Sequence, residues 1–444
     1  MRVRRVWFIS ILVIGAVSLT QGAPAQAGRV LEPRADSLES ASVSANNRFW
    51  LSWTAGVNVS KSPVNKATWP TVKTTADGRT VYLAWSDNRD APQNIYYAGS
   101  SDAGTSWGSA QRLALTDSDS VRPSLAMLGS IPQFSFADEE TGMTHTTYHM
   151  ALGAAGPTEV PNTYTQLAYL SRLVAGSDGA LHLALQGGQS SQPDILYTRR
   201  DAGATTWPTA TPVFVHSSSG SFNPAIAVAS DGTVHLAWQE NTGTLSAVYY
   251  MSGHRNGSTM QWSTAANLSS GLAGSVRPAI AVGTGGLVYV AWGEKDPDVE
   301  TQYVRFARSE NGGATWSTPQ RVDPEPVSAN SVAPTEVSPA LAVVPAGAVC
   351  VAWHGFRAEA PVEAEEIYLT CSDDRGVTWG SPVNVSRSSG VISIRPALAV
   401  GSDGILHMAW QEMAGAQAIS DYQIMYAHSI PCVVYLPIAL RNYR

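Results

Sequence analysis

The chain has 444 residues, of which only 14% are charged, and its formal net charge is −7 at pH 7. No basic run stands out, so we do not expect nucleic acid as a partner. Gly, Ser, Thr, Val and Trp are abundant while Lys and Glu are scarce. Such a composition favours many short strands joined by tight turns.

The N-terminus has the three parts of a secretory signal peptide. Arg2, Arg4 and Arg5 precede an apolar run from Val6 to Leu19, and an A-x-A cleavage site ends at Ala27. The run is shorter than the ~20 residues that span a bilayer, and no later segment is apolar enough to do so. We therefore predict a chain that is cleaved near Ala27, does not span the membrane, and is secreted to the extracellular space or cell surface.

The sequence predicts four regions. Residues 1–27 form the signal peptide, and residues 28–45 are a polar, aperiodic and flexible lead-in. Residues 46–429 carry an internal repeat. Residues 430–444 form a tail, apolar and then basic, that docks on the repeat domain or engages an export or surface system.

Three cysteines are too few for a disulfide-stapled scaffold. They are Cys350, Cys371 and Cys432. One disulfide bond can form in an exported protein, with Cys350 and Cys371 as the favoured pair. One cysteine then stays reduced or pairs between molecules.

The internal repeat is clearest in the segment RPALAVGSDGILHMAWQE at 395–412, which returns as NPAIAVASDGTVHLAWQE at 223–240. Copies of decreasing clarity begin at seven positions: Arg395, Asn223, Arg277, Ser338, Trp69, Leu170 and Arg122. A period of roughly 50–60 residues with strand-like content predicts an all-β fold, a single β-propeller of seven four-stranded blades. The alternative is six blades, with Arg122–Thr165 as an insertion.

Each repeat contains four candidate strands, which we call a to d. A D-G or G-G turn joins strands a and b, as in a β-hairpin. The last repeat stops after strand c at Ser429, but Trp53–Ser60 resembles the strand d segment that begins at Trp379. We predict that this N-terminal strand completes the last blade and closes the ring, because closure removes open sheet edges.

An eight-residue turn joins strands c and d, and its best copies are SSDAGTSW, SENGGATW and SDDRGVTW. Its Asp or Asn can form an Asx-turn, its Gly tolerates positive φ, and its Trp can be buried between neighbouring sheets. Recurrence in several blades indicates a structural role, since a propeller usually has one active centre. The predicted structural positions are Ser100, Asp102, Gly104, Trp107, Ser309, Asn311, Gly313, Trp316, Ser372, Asp374, Gly376 and Trp379.

This turn, S-x-D-x-G-x-T-W, is the Asp box or BNR repeat, and the chain resembles the Asp-box β-propellers of the sialidase superfamily over residues 50–429. The resemblance implies that the turns lie on the face opposite the active site. It also implies an exo-glycoside hydrolase in which three arginines hold a carboxylate, an Asp is the acid/base, and a Tyr–Glu pair is the nucleophile.

The chain departs from the sialidase pattern at the first arginine. It has R-P at three strand starts but no R-I-P, and Trp69-Pro70 opens the first full blade. The segment AWSDNRD at 84–90 resembles the sialidase stretch after that strand, so Asp90 is the candidate acid/base. No Tyr–Glu pair can be singled out from the sequence.

Strand direction predicts which face could bind a ligand. Strands a and b are antiparallel, so the start of a and the end of b share one face, and the eight-residue turns lie on the other. Arginine holds carboxylates in bidentate fashion, and carboxylates bond sugar hydroxyls. The alternative is that these residues only cap strand ends and neutralise each other. The predicted ligand-binding residues are Arg122, Arg277, Arg395, Asp87, Asp138, Glu240, Glu294 and Glu412.

His182, His235 and His407 share one repeat position. Equivalent positions in different blades are far apart, so we predict no metal site and no cofactor.

Two functions remain. One is a secreted, monomeric propeller that binds a glycan or another extracellular polymer without catalysis. The other is a sialidase-like exo-glycoside hydrolase.

Overall fold

The structure is a computed structural model that describes fifteen stretches of the chain. They are residues 52–63, 66–113, 118–140, 144–164, 168–189, 192–214, 220–241, 243, 245–269, 274–295, 302–323, 337–356, 365–388, 390–413 and 421–430. All belong to the compact unit Ala45–Arg444. The predicted signal peptide, lead-in and C-terminal tail, apart from Ile430, lie outside these residues. Within them, no helix is long and apolar enough to cross a membrane.

In the described stretches, thirty strands form seven antiparallel sheets, which are the blades of a β-propeller. Blade 1 holds β3 (Ala67–Thr74), β4 (Val81–Asp87), β5 (Asn94–Ser100) and β6 (Gln111–Arg112). Blade 2 holds β7 (Asp119–Leu128), β8 (Ile131–Glu140), β9 (Thr144–Ala151) and β10 (Thr158–Glu159). Blade 3 holds β11 (Ala168–Ala175), β12 (Leu181–Gln189), β13 (Gln192–Arg200) and β14 (Thr211–Phe214).

The remaining blades follow the same order from the inner to the outer strand. Blade 4 holds β15 (Ser221–Val228), β16 (Val234–Asn241), β17 (Ser246–Asn256), β18 (Thr259–Trp262) and β19 (Ala266–Asn267). Blade 5 holds β20 (Ser275–Val282), β21 (Val288–Lys295), β22 (Gln302–Ser309) and β23 (Gln320–Arg321). Blade 6 holds β24 (Ala340–Val343), β25 (Val349–Gly355), β26 (Glu366–Ser372) and β27 (Val383–Asn384). Blade 7 holds β28 (Ser393–Val400), β29 (Leu406–Met413), β30 (Tyr422–Ile430), β1 (Ser52–Trp53) and β2 (Val57–Asn58).

Seven blades are confirmed, and the six-blade alternative is wrong. The degraded repeat that begins at Arg122 forms a complete sheet of its own, blade 2. Each inner strand contacts the inner strands of both neighbouring blades, and β28 contacts β3, so the ring is closed.

The N-terminal strands close the ring in blade 7, as predicted. Trp53 pairs with Ser429, and Val57 pairs with Tyr426, on the outer side of β30. The indole of Trp53 is buried with residues of blades 6 and 7. The blade thus gains the outer strand that the C-terminal repeat lacks.

The core lies between the blades and not within any single one. Each of seven apolar clusters combines residues from two adjacent blades. The largest contributors are the strand b tryptophans, which are all fully buried: Trp85, Trp238, Trp292, Trp353 and Trp410. A large ring buries enough apolar surface to hold two sheets face to face. The Cys350–Cys371 disulfide links directly opposed residues of β25 and β26 in blade 6.

The eight-residue turn makes the same hydrogen-bond network in three blades. In blade 1, Ser100 Oγ donates to Asp102 Oδ1 at 2.7 Å and accepts from the Gly104 N–H at 2.8 Å. Ser106 donates to Asp102 from both its backbone and its hydroxyl. These bonds lower the pKa of Asp102 to about 2. The turn that begins at Ser372 repeats the pattern. The turn that begins at Ser309 does so too, except that Asn311 Nδ2 donates to the hydroxyl of Thr315.

The tryptophan that ends each turn packs against the preceding blade, as predicted. Trp107 meets Tyr426 edge-on with ring centroids 4.7 Å apart, and Trp316 meets Tyr250 in the same way at 4.7 Å. Trp379 packs on Phe306 at 4.9 Å. The turn therefore links neighbouring blades, and its recurrence follows from the recurrence of that contact.

Candidate functional site

The start of each inner strand is irregular in a repeated way. In blade 5, Val276 pairs with Gly293 and Ala279 pairs with Ala291, so two residues of β20 oppose Trp292 alone. This is a β-bulge, which turns a side chain away from the ladder. Similar register shifts occur in blades 1, 2, 3, 4 and 7.

The first bulge residue has a left-handed backbone in six blades. The residues and their φ angles are Trp69 (57°), Arg122 (54°), Leu170 (59°), Asn223 (51°), Arg277 (50°) and Arg395 (54°). A left-handed non-glycine residue costs about 1–3 kcal/mol and tends to mark a functional site. All but Leu170 are followed by Pro, which has no N–H to lose from the ladder.

Side chains of the preceding blade satisfy the backbone N–H of several bulge residues. Trp69 N–H donates to Gln411 Oε1 at 2.9 Å, and Asn223 N–H donates to Gln186 Oε1 at 3.1 Å. The Arg122 N–H donates to the hydroxyl of Ser86 at 2.9 Å. These three bulges are therefore fixed from the neighbouring blade, which helps to hold their side chains in place at the channel mouth.

These bulges surround a central cavity of about 250 Å³. Six of the seven residues that begin the repeats, which we call the ring positions, line it; Leu170 does not. The predicted arginines Arg122, Arg277 and Arg395 all do. The structure thus brings the three arginines of different blades together in one cavity.

Two further cations line the cavity that the sequence did not predict. Arg172 lies in blade 3 at a repeat position that holds Ala in blades 4 to 7, and Lys73 lies in blade 1 at another alanine position. The sequence could have revealed both cations, because each is a charged residue at a repeat position that holds alanine in most other blades. Among the described residues that line the cavity there are four arginines, one lysine, and neither Asp nor Glu.

The cations interact with one another. Burial, followed by repulsion from Arg277 and Arg122, lowers the pKa of Arg172 to about 10. Burial and Arg277 likewise lower the pKa of Arg395 to about 10, and burial lowers the pKa of Lys73. The arginines remain protonated at neutral pH, so the cavity concentrates positive charge in a partly desolvated space.

Trp69 holds part of this arrangement in place. The guanidinium of Arg395 lies 4.0 Å from the centre of its indole, and that of Arg122 lies 5.1 Å away. Arg395 also donates from Nη1 to Gln411 Oε1 at 3.1 Å. Cation–π contacts of this kind stabilise a guanidinium without neutralising it.

The predicted carboxylates do not line the cavity; they are bonded within their own blades. Asp87 is fully buried and accepts from Trp85 Nε1, from Ser62, and from both the backbone and the guanidinium of Arg89. Trp238 donates to Glu240 at 3.0 Å, as Trp85 does to Asp87.

The other three predicted carboxylates follow this pattern with variations. Ser120 donates to Asp138, and Ser393 and Trp410 donate to Glu412. Glu294 is instead bonded by Arg305, at 2.9 and 2.7 Å. The structure therefore supports the capping interpretation of these residues, although their role in ligand binding stays a prediction.

Asp90 lies in the loop between β4 and β5 and is exposed. It accepts a hydrogen bond from the hydroxyl of Tyr96, whose pKa is raised to about 12 by burial and by Asp90. Asp90 does not line the central cavity. Its role as an acid/base therefore stays a prediction.

A tyrosine and a glutamate lie near the arginines, although the sequence singled out no such pair. Burial raises the pKa of Tyr422, while Arg395 lowers it and Glu365 raises it. Glu365 also acts on the pKa of Arg395. Tyr422, Glu365 and Arg395 are thus electrostatic neighbours. Because Glu365 and Tyr422 stand at the starts of strands in different blades, sequence spacing could not pair them.

The histidine column is bonded within blades. His182, His235 and His407 each bond through Nδ1 to the hydroxyl of a strand c tyrosine, at 2.8, 2.7 and 2.6 Å respectively. Across the described stretches, no three His, Cys, Asp or Glu side chains are grouped so that they could hold a metal ion.

No protein-family model and no curated protein matches the chain. Several solved structures do. A protein of unknown function from Dyadobacter fermentans has a TM-score of 0.52 at 11% identity, covering 85% of this chain and 98% of that one. A family PL25 ulvan lyase bound to -[GlcA(1-4)Rha3S]- has a TM-score of 0.58 at 11% identity, covering 83% and 95%. A leech intramolecular trans-sialidase has a TM-score of 0.47 at 13% identity, covering 84% and 70%. At such identities the likeness shows the fold alone: a seven-bladed β-propeller with structural neighbours among polysaccharide lyases and sialidases.

Proposed function

We propose that this protein is an exported Asp-box propeller that binds an acidic glycan at the mouth of its central channel. The observation that carries the proposal is the composition of the cavity. Four arginines and Lys73 line it, and no described Asp or Glu does. Arginine binds carboxylate and sulfate groups through parallel hydrogen bonds, so an acidic sugar is the ligand that this chemistry fits best.

The energetics of the cavity favour an anion. Besides burial, Arg277 and Arg122 lower the pKa of Arg172 and of Arg395, which means that bringing these charges together costs free energy when no anion is bound. A bound carboxylate relieves this repulsion and replaces lost hydration. Each charge-assisted hydrogen bond then contributes about 1.5–3 kcal/mol.

Neutral polar groups beside the cations support a sugar over a simple anion. Asn223 and Ser338 occupy the ring positions of blades 4 and 6, and Thr71 and Ser124 line the wall. Amides and hydroxyls bond the ring hydroxyls that a sugar carries. The similarly folded ulvan lyase is bound to a glucuronate-containing chain, which is the class of ligand that we propose here.

Binding without hydrolysis is the mode that we favour. The strand b carboxylates, which could have served as acid or base, accept hydrogen bonds inside their blades, as Asp87 and Glu240 illustrate. The signal peptide predicts that the protein meets its ligand outside the cell. We expect it to act there as a monomer, without nucleic acid or a cofactor.

A sialidase-like exo-glycoside hydrolase is the second candidate function. It is favoured by the electrostatic interaction of Tyr422 and Glu365 with Arg395. A tyrosine assisted by a glutamate can act as a nucleophile where the substrate itself is anionic. In that case Tyr422→Phe would abolish turnover of a fluorogenic sialoside. The absence of any turnover by the wild type would exclude this candidate.

The binding proposal is tested by comparing the two faces of the molecule. Arg277→Ala and Arg395→Ala should each weaken glucuronic acid binding about tenfold or more, as measured by titration calorimetry. Asp374→Ala, on the opposite face, should spare binding but lower the unfolding free energy, since its carboxylate accepts from Ser372 and Thr378. A glycan array would define which acidic glycans bind. Normal binding by both arginine variants, or no acidic glycan bound by the wild type, would show the proposal to be wrong.

A further inference from the structure

A second cavity, of about 310 Å³, adjoins the central one between blades 1 and 2. The two share Trp69 and Arg122 as walls. We call this second space the outer cavity. Its lining residues are Lys66, Thr68, Trp69, Asn88, Gln93, Val121, Arg122 and Glu139.

The outer cavity differs from the central one in its chemistry. Lys66 is paired with Asp421 at 3.0 Å, and Glu139 lies 3.4 Å from His145. Lys66 and Glu139 therefore have partners of their own. Asn88 adds an amide side chain that can both donate and accept, as a sugar hydroxyl does.

The loop that carries this amide chemistry is fixed against blade 2. Gln93 N–H donates to Asp119 Oδ1 at 2.6 Å, and Ser120 N–H donates to the Gln93 carbonyl at 2.8 Å. These two bonds hold the loop in position before any ligand arrives. A preformed site loses little conformational entropy on binding.

Below the arginines, none of the described residues that line the central cavity has an amide side chain that could bond a sugar hydroxyl. Further along the inner strands its wall becomes mostly apolar, except for Lys73. The apolar residues are Leu125, Leu173, Ile226, Ile280, Leu341 and Leu398. A hydroxyl-rich chain therefore finds suitable partners toward the outer cavity and not deeper in the channel.

We propose that the outer cavity is a subsite for a neutral sugar joined to the acidic sugar in the central cavity. This inference rests on the proposed function. The ligand is then a chain whose acidic residue lies among the arginines and whose next residue passes Trp69 and Arg122 into the gap between blades 1 and 2. Asn88 and Gln93 are the specificity-determining residues of this subsite.

The test compares glucuronic acid with an aldobiouronic acid, in which glucuronic acid is linked to a neutral sugar. Wild-type protein should bind the disaccharide about tenfold more tightly than the monosaccharide, because two amides each add a net hydrogen bond. Asn88→Ala combined with Gln93→Ala should remove this increment and leave the affinity for glucuronic acid unchanged. Titration calorimetry measures both affinities, and thermal unfolding checks that the variants remain folded.

Asn241→Ala is the matched control, because Asn241 follows Glu240 in blade 4 as Asn88 follows Asp87 in blade 1. It should retain the full increment. If the wild type binds both probes with equal affinity, or if the double variant keeps the increment, the subsite is wrong while the proposed function stands. If neither probe binds to the wild type, the proposed function is wrong, and the subsite with it.

Discussion

The two faces of this propeller are made by the same repeat, yet repetition has opposite consequences on them. On the face of the eight-residue turns, each copy completes its own hydrogen bonds and packs on the preceding blade, as Trp316 does on Tyr250. On the channel face, one repeat position from several blades opens into a single cavity. A residue that recurs in the turns contacts a neighbouring blade and so supports the ring. Residues that recur at the starts of the inner strands instead line one common cavity.

The contrast between the two faces indicates how the charged residues should be interpreted. Charges that find partners within the blade, such as Asp87, support a structural interpretation even on the channel face. Charges that the bulge turns toward the axis, such as Arg277, face a common space. Distance from the axis therefore separates the two roles better than the choice of face does.

Substitution of Asp87, for which we expect the greatest loss of stability, tests the distinction between structural and cavity-facing charges on the channel face itself. Asp87→Ala should lower the unfolding free energy by about 3–5 kcal/mol, because it removes a fully buried carboxylate and leaves the largely buried guanidinium of Arg89 without its partner. Chemical denaturation measures the loss. Affinity for glucuronic acid should be unchanged in the variant that remains folded.

Asn88→Ala is the neighbouring control, since Asn88 is exposed. Its unfolding free energy should stay within about 0.5 kcal/mol of the wild type. A tenfold loss of glucuronic acid affinity in Asp87→Ala would show that this carboxylate belongs to the binding site. The distinction between structural and cavity-facing charges would then be wrong.

A smaller effect concerns two adjacent glycines on the turn face. Gly313 has φ of 91°, and a Cβ there would lie 1.9 Å from the hydroxyl of Tyr250. That hydroxyl is held by His235, so it cannot move away without breaking a bond. Gly313→Ala should therefore cost about 2–4 kcal/mol of unfolding free energy in urea denaturation.

Gly312 provides the matched control. Its φ is 70°, but a Cβ would meet nothing within 4 Å. Gly312→Ala should cost only about 1 kcal/mol, from backbone strain alone. Equal costs for the two substitutions would mean that the turn does not depend on the contact between blades.

The smallest effect is a pH dependence of the histidine column. Burial lowers the pKa of His407 from its ordinary 6.5 to about 4. The unfolded chain takes up this proton as pH falls through 6.5, while the folded chain resists it until about pH 4. Stability from this imidazole is therefore full above pH 6.5 and is lost between pH 6.5 and 4.

Substitution of the imidazole isolates this contribution. The fall in unfolding free energy from pH 7 to pH 5 should be about 1–2 kcal/mol smaller in His407→Gln than in the wild type. Urea denaturation at both pH values gives the comparison. An identical fall in the two proteins would show that His407 does not titrate as its burial implies.

The sequence was sufficient to predict the propeller, its blade number and its closure, because these depend on features that recur. Strand b tryptophans and a glycine in the turn between strands a and b mark every clear blade, and the missing outer strand of blade 7 had one matching segment at Trp53–Ser60. The ring of arginines was predictable for the same reason, since one repeat position maps to one place around the axis.

Other parts of the site could not be predicted in this way. The strand b carboxylates were grouped with the arginines by face, but side chains two apart on a strand lie on the same side. Asp87 therefore follows Trp85 into the blade and bonds its indole. Arg172 and Lys73 break the repeat, so a search for recurrence passed over them, although a search for exceptions would find them.

The bulge at the start of each inner strand allows the side chains at the channel mouth to be substituted without disturbing the fold. Its first residue lies outside the cross-strand register and its N–H is bound by a neighbouring blade, as in Trp69 and Asn223. The side chain can therefore change without altering the ladder or the buried tryptophans. A small library that varies only these positions would sample many pocket chemistries on one constant scaffold, and selection from it could redirect the propeller from acidic ligands to neutral or basic ones.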